Sequence, residues 1–242
     1  MTCRLLPYAV ASGPKNMAAD EALLESTQTG VAALRFYGWS EPTLSLGYFQ
    51  AERSRVSSHL LAGLPFVRRP TGGDALVHHH EVTYALALPA GPPWQTGPSW
   101  LQRMHGIISA ALEQRGVMAP LSAPADNPAF SGVLCFQHIT PGDVVIGLAK
   151  VVGSAQRRQR GALLQHGGIL LACSPHTPEL PGIKELSGKS LTPEDISKAV
   201  AAEFTRQTGW QLLPAEWTNE EQQRIEHFVE TKYTRETWNR KR

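Results

Sequence analysis

The sequence predicts a mixed α+β fold of largely antiparallel β-sheets flanked by helices. Three observations carry this. Amphipathic helical periodicity appears in separate stretches near the start, middle and end of the chain. Short β-branched and aromatic runs lie between them. Most of those runs are divided by Pro/Gly turns, so successive strands can fold back on one another. At 242 residues, 42% of them hydrophobic, the chain is expected to form a single domain over 1–242, with a C-terminal helical segment from about 192.

The elements follow in order. Residues 17–27 (MAADEALLEST) place Met17, Leu23 and Leu24 at helical spacing, with Asn16 as the expected N-cap. Residues 33–37 and 44–48 read as strands separated by Pro42. Residues 66–69 read as a strand entering the tight loop Pro70-Thr71-Gly72-Gly73, and 75–77 and 81–88 (EVTYALAL) follow as strands. Residues 89–98 form a Pro/Gly loop. Residues 100–115 form a helix with Leu101, Met104, Ile107, Ile108, Ala111 and Leu112 on one face. Residues 117–132 are rich in Pro, Ala and Ser and are expected to be mobile. Strands are expected at 133–136, 142–146, 150–152 and 162–172, with 157–161 (RRQRG) as a hairpin turn. Residues 173–191 are Pro/Gly-rich. Thr192 and Asp195 open a capped helix to Gly209, and 218–233 form another.

Composition removes several classes. A net charge of +2 is too balanced to argue for nucleic acid or a membrane surface. No apolar run approaches the roughly 18 residues of a membrane span. The first residues, MTCRLLPYAVASGPKN, do not read as a secretory signal. Cys3, Cys135 and Cys173 give neither a disulfide framework nor a CxxC pair, so a reducing cytoplasm is expected and no metal.

Four groups of residues could carry chemistry. Arg68-Arg69-Pro70-Thr71-Gly72-Gly73 is either an anion-binding nest with two guanidinium groups or an ordinary turn beside a basic pair. His78-His79-His80-Glu81 alternates faces on a strand, so the three imidazoles do not converge on one ion; one is expected to face a cleft and the others solvent. Cys135, in Val133-Leu134-Cys135-Phe136, is either a buried inert thiol or a nucleophile needing a nearby cation. Lys150, between two apolar runs, is the candidate cation unless its stem snorkels to solvent. Gly153-Ser154-Ala155-Gln156 and Gln165-His166-Gly167-Gly168 leave room for a ligand beside the sheet, or are glycines at bulges.

Together these pieces resemble the lipoate–protein ligase and octanoyltransferase family, which shares its catalytic fold with biotin protein ligases. The resemblance rests on NMAADEALL (16–24), LRFYGW and PTLSLGYFQ (34–50), RRPTGGDALVHHHEVTY (68–84), GDVVIGLAKVVGSAQRRQRGALLQHGGILL (142–171) and KYTRETWN (232–239). Asp74 replaces the third loop glycine typical of ATP-dependent ligases, and Lys150 follows Cys135 by fifteen residues. That pattern is similar to the octanoyltransferases of Gram-positive bacteria. The resemblance implies that Cys135 carries an acyl thioester and Lys150 favours its thiolate. It implies that Arg69, Thr71, Gly72, Gly73, His78, Gly153, Ser154, Ala155, Gln156, His166 and Gly167 bind the acyl substrate, without cofactor or metal. The implied donor is octanoyl-acyl carrier protein. The implied acceptor is a lipoyl-domain lysine, as in a glycine cleavage H protein or a 2-oxoacid dehydrogenase E2 subunit. The alternatives are an ATP-dependent lipoate ligase, a lipoyl-domain amidotransferase and a non-catalytic acyl-binding paralogue. Two departures bear on the acceptor side: His79 replaces an acidic residue, and Leu148-Ala149 replaces a glycine and a basic residue.

Overall fold

The computed structural model describes residues 1–53, 59–123 and 134–242. The first part of the chain holds β1 (Thr2–Leu5), β2 (Ala9–Ala11), α1 (Gly13–Ser26), β3 (Ala32–Trp39), β4 (Thr43–Leu46) and α2 (His59–Ala62). The middle holds β5 (Phe66–Arg68), β6 (Leu76–His78), β7 (Glu81–Leu88) and α3 (Trp100–Glu113). Then come β8 (Val144–Ile146), β9 (Ala149–Gln159), β10 (Ala162–Leu170), α4 (Ile183–Ser187), α5 (Pro193–Thr208), β11 (Gln211–Pro214), α6 (Asn219–Phe228) and α7 (Glu236–Asn239).

The larger sheet runs β11-β1-β3-β7-β10-β9-β8, with β2 paired to β3. It is antiparallel from β3 to β8, and parallel where β3 meets β1 and β2 and where β1 meets β11. The smaller sheet is β5-β4-β6. The period of two along β7 decides the layers. Val82, Tyr84, Leu86 and Leu88 join one core with residues of α3 and α5. Ala85 and Ala87 face the other way, into a core with Met17, Ala18 and Ala22 of α1 and Ile225 and Phe228 of α6. The small alanines let α1 lie close to the sheet. The helices after 192 thus belong to both layers.

Several elements differ from expectation. Helix α1 begins earlier, at N-cap Ser12, because Pro14 is tolerated in a first helical turn. Asn16 lies inside the helix, donating its amide to the carbonyls of Ala11 and Gly38 at 3.1 and 3.0 Å. The expected strand at 133–136 is a single bridge, Ala75 to Leu134, followed by a 3₁₀ turn at Cys135–Gln137; Val133 lies outside the described residues. Of the segment expected to be mobile, 117–123 is in place: Val117 and Ala119 are buried and Leu121 bridges Val144. The remainder lies outside the described residues. β9 is far longer than expected, and its hairpin turn narrows to Arg160 and Gly161, both at positive φ. β1 and β11 were not expected.

Arg68 ties the end of the described chain to this frame. Its side chain is fully buried and donates to the carbonyls of Gly47 (2.8 Å), Gln50 (2.6 Å) and Asn239 (3.0 Å). Arg68→Met fills similar volume and removes every donor. Leaving buried carbonyls unpaired should cost about 3 kcal/mol or more, read as a lower midpoint in urea unfolding.

Candidate active site

Cys135 opens its 3₁₀ turn with its N–H bonded to the carbonyl of Ala75 at 2.8 Å, which fixes the thiol against β6. Lys150, second residue of β9, meets it there. Its Nζ lies 3.9 Å from Cys135 Sγ and donates to the His138 carbonyl at 3.2 Å. Asp143 Oδ2 pairs with the ammonium at 2.8 Å, each side chain being 4% exposed. The lysine is therefore anchored inward and does not snorkel. Asp143 is itself held by the N–H and hydroxyl of Thr140 at 2.7 and 2.9 Å. Gly153 makes room for the lysine stem, since a Cβ there would sit 2.4 Å from Lys150 Cε.

The glycine loop is held from within. Arg69 donates to the carbonyls of Gly72 (2.9 Å), Asp74 (2.6 Å) and Ser45 (3.1 Å), and to the Ser45 hydroxyl at 3.1 Å. Its donors serve the loop rather than a ligand, and burial lowers its pKa. Gly47 and Gly73 show why glycine is needed: a Cβ on Gly47 would lie 1.7 Å from the Gly73 carbonyl oxygen, and Gly73 has φ +88°. The close approach is of loop to loop.

Inside the loop, Thr71 Oγ1 lies 2.6 Å from His166 Nε2, and His166 Nδ1 lies 2.7 Å from Asp20 Oδ2. With Nδ1–H donated to the carboxylate, Nε2 accepts from Thr71. Asp20 also receives Arg35 Nε at 3.0 Å and the Tyr37 hydroxyl at 2.9 Å. Burial opposes its ionisation, but the Arg35 guanidinium and the bonds from His166 and Tyr37 outweigh it and hold the carboxyl below its ordinary range.

Two further networks close the cleft. His78 stacks on Trp39 at 3.7 Å, with Nδ1 2.5 Å from Glu81 Oε1 and Nε2 2.7 Å from Ser45 Oγ. Burial pushes the His78 pKa down despite Glu81. Ser154 Oγ lies between the Tyr84 hydroxyl (2.6 Å) and His105 Nε2 (2.5 Å), and His105 Nδ1 donates to Gly142 O at 2.6 Å.

These elements surround a narrow, partly enclosed cleft. It brings together Arg69, His78, Cys135, Gly153, Ser154, Ala155, His166 and Gly167 of the expected residues, with Met17, Tyr37, Phe136 and Leu76. Lys150 stands behind Cys135, Thr71 behind His166. Gly72, Gly73 and Gln156 do not line it. The polar atoms of Tyr37, Ser45, Thr83, Ser154 and His166 are bonded to protein partners. They therefore present carbon and ring surface inward, and the cleft is apolar although many of its residues are not. His78 faces the cleft, His79 is half-buried against Ser174 and His80 is exposed. Leu148 is 85% exposed at the β8–β9 turn, away from Lys150's ammonium. Among the described residues no cluster of His, Cys, Asp or Glu could hold a metal ion, and no helix is long and apolar enough to cross a membrane.

Sequence reasoning gave no role to Asp143, Asp20 or His105, and named Glu81 without one. Asp20, Glu81 and Asp143 stood within quoted motifs, but only the fold shows which cation or ring each faces.

The Asp20 network has a pH signature. A carboxyl whose folded pKa is depressed stabilises the protein above the unfolded value, about 3.9, and loses that contribution as pH falls through the folded value. The stability gap between wild type and Asp20→Asn should be full above about pH 5 and close below it. Urea titrations of both proteins from neutral to acid pH check this.

Residues 12–180 match the lipoyl protein ligase A/B catalytic domain. The chain is 34% identical to octanoyltransferase LipM of Kyrpidia tusciae, the alignment covering 98% of each. It is 32% identical to octanoyltransferase LipM of Bacillus subtilis over 100% of this chain and 99% of the relative. Among solved structures, Ta0514 of T. acidophilum superposes with a TM-score of 0.82 at 20% identity, covering 100% of both chains. Lipoate-protein ligase A bound with ATP gives 0.80 at 21%, covering 99% of each. These structural likenesses establish a shared fold. With matching motifs along most of its length, the chain belongs to the lipoyl protein ligase A/B catalytic domain family.

Proposed function

We propose that this chain is an octanoyltransferase that moves the acyl group through Cys135. The observation that carries the reading is the Lys150 ammonium, 3.9 Å from the Cys135 sulfur at an apolar cleft. In the first step the Cys135 thiolate attacks the thioester carbonyl of octanoyl-acyl carrier protein. A new carbon–sulfur bond forms, the donor thiolate leaves, and it takes up a proton. In the second step a lipoyl-domain lysine, as neutral amine, attacks the Cys135 thioester. An amide forms, the amine gives up a proton, and the Cys135 thiolate is released beside Lys150. Exchange of one thioester for another is nearly isoenergetic and amide formation is downhill, so the reading needs no nucleotide or metal. Cysteine suits both steps because its thiolate attacks well and leaves well.

The cleft supplies binding. Seven buried methylene-sized groups at ~0.8 kcal/mol each contribute about 6 kcal/mol. The acceptors are lipoyl domains such as a glycine cleavage H protein or a 2-oxoacid dehydrogenase E2 subunit, in the cytoplasm. The whole of 1–242 acts as one catalytic unit in this reading, because the helices after 192 complete both core layers around the site.

Wild type incubated with octanoyl-acyl carrier protein, without ATP and with chelator, should gain one octanoyl group by intact mass, and Cys135→Ser none. Loading only with ATP and magnesium would instead assign a ligase. Lys150→Ala should slow loading about 100-fold, the usual loss when a positioned charge is removed from a reacting site. Stopped-time mass analysis of Cys135 measures it.

A further inference from the structure

A group of cations stands on the outer face of the glycine loop, and the mechanism above uses none of them. Residues 238–242 lie against the turn at 47–50, where Glu52 N–H bonds the Arg242 carbonyl at 2.8 Å and Trp238 Nε1 bonds the Arg68 carbonyl at 2.8 Å. Lys241 Nζ sits between two rings, 3.4 Å from the centre of Tyr48 and 3.5 Å from that of Trp238. The Arg242 guanidinium lies 5.3 Å from the ring of Phe49. Arg157, on β9, donates to the Pro70 carbonyl at 3.0 Å, while its buried Nε has no partner. Among the described residues Arg157, Lys241 and Arg242 form no ion pair, whereas neighbouring Lys232 pairs with Glu21 at 2.6 Å.

Like charges crowded with few counter-ions raise the energy of the free protein, and the nearby Glu52 carboxylate is shared with Arg240 at 3.6 Å. Burial and the neighbouring Arg68, Lys232, Arg242 and Arg157 push the Lys241 pKa down to about 8. Phe49 adds an apolar element, 72% exposed, with its ring 4.0 Å from where a Cβ on Gly72 would stand. A basic rim around one exposed aromatic ring is the composition of a recognition surface rather than of a solvated one.

We propose that Arg157, Lys241, Arg242 and Phe49 form the docking face for the acceptor domain, which presents its target lysine from an acidic surface. The proposal rests on the acyl-transfer reading. Reach selects the acceptor over the donor. A lysine side chain is short, so the body carrying it must rest on the loop bordering the cleft. Pro70, which Arg157 bonds, and Gly72, which Phe49 neighbours, belong to that loop.

The test compares wild type with Lys241→Glu/Arg242→Glu and with the neutral Lys241→Gln/Arg242→Gln, at residues that do not line the cleft. Binding of an unmodified lipoyl domain is titrated directly, and Cys135 loading by octanoyl-acyl carrier protein is followed separately by intact mass. The Glu pair should weaken acceptor binding about 10-fold at low salt and about twofold at 0.5 M salt, with loading unchanged, as expected for rim charges. The Gln pair should fall between and keep the wild-type melting temperature. Unchanged acceptor affinity would overturn the proposal, and so would a defect confined to loading, which would give the face to the donor. If wild type binds the acceptor in this salt-dependent way but never loads octanoyl, the docking face stands and the transferase reading fails.

Discussion

Two adjacent arginines that bond to backbone carbonyls hold the site together. Irregular backbone carries carbonyls that no sheet or helix satisfies, and buried carbonyls need donors. A guanidinium offers five donors in one rigid plane. Arg69 uses its group to close the turn from Gly72 to Asp74 onto Ser45. Arg68 uses its group to fasten the neighbouring turn at Gly47 and Gln50 to Asn239. The loop can therefore be both irregular and rigid. Without that rigidity Thr71 would not meet His166, which lines the cleft.

The cleft itself rests on a second constraint, which is where polar groups point. A small hydrophobic pocket could have been built from aliphatic residues alone. Here it is lined by hydroxyl and imidazole side chains turned toward one another. Each chain of bonds ends on a buried charge or a backbone carbonyl: Asp20 with Arg35, Glu81, or Gly142. Such networks are costly when half satisfied and stiff when complete. Among the described residues the one buried carboxylate oxygen left over, Glu81 Oε2, lies behind Gly168, where a Cβ would come within 2.8 Å of it.

What could be read in the sequence was what depends on neighbours in the chain. Helices α3 and α5 announce themselves by periodicity and caps, β7 by its β-branched and aromatic run, and the β9–β10 hairpin by its turn. Lys150 stood out as a candidate cation between two apolar runs, but its pairing with Cys135 needed the family resemblance, because fifteen residues of spacing fix no distance. Asp143 was hidden for the same reason, although it stands in the quoted motif. Cys135 lay in an apolar run that reads as a strand; the bridge to Ala75 ends that pairing after one residue and turns the thiol toward the cleft. β1 and β11 were invisible, since each is four residues long and its partner lies some 200 residues away. His79 and Leu148 departed from the family pattern, and both prove peripheral to the Cys135–Lys150 pair.

The tie between Arg68 and Asn239 has a consequence for how the protein comes into being. The turn at 47–50 and its anchoring Arg68 are made well before Asn239, which caps that arginine from 171 residues further along the chain. A growing chain that has emitted all of its strands still lacks this fastening. Until residue 239 has emerged, a buried guanidinium and the turn it serves have no firm seat. A nascent chain would thus carry Cys135 and Lys150 before the turn beside the cleft is fastened.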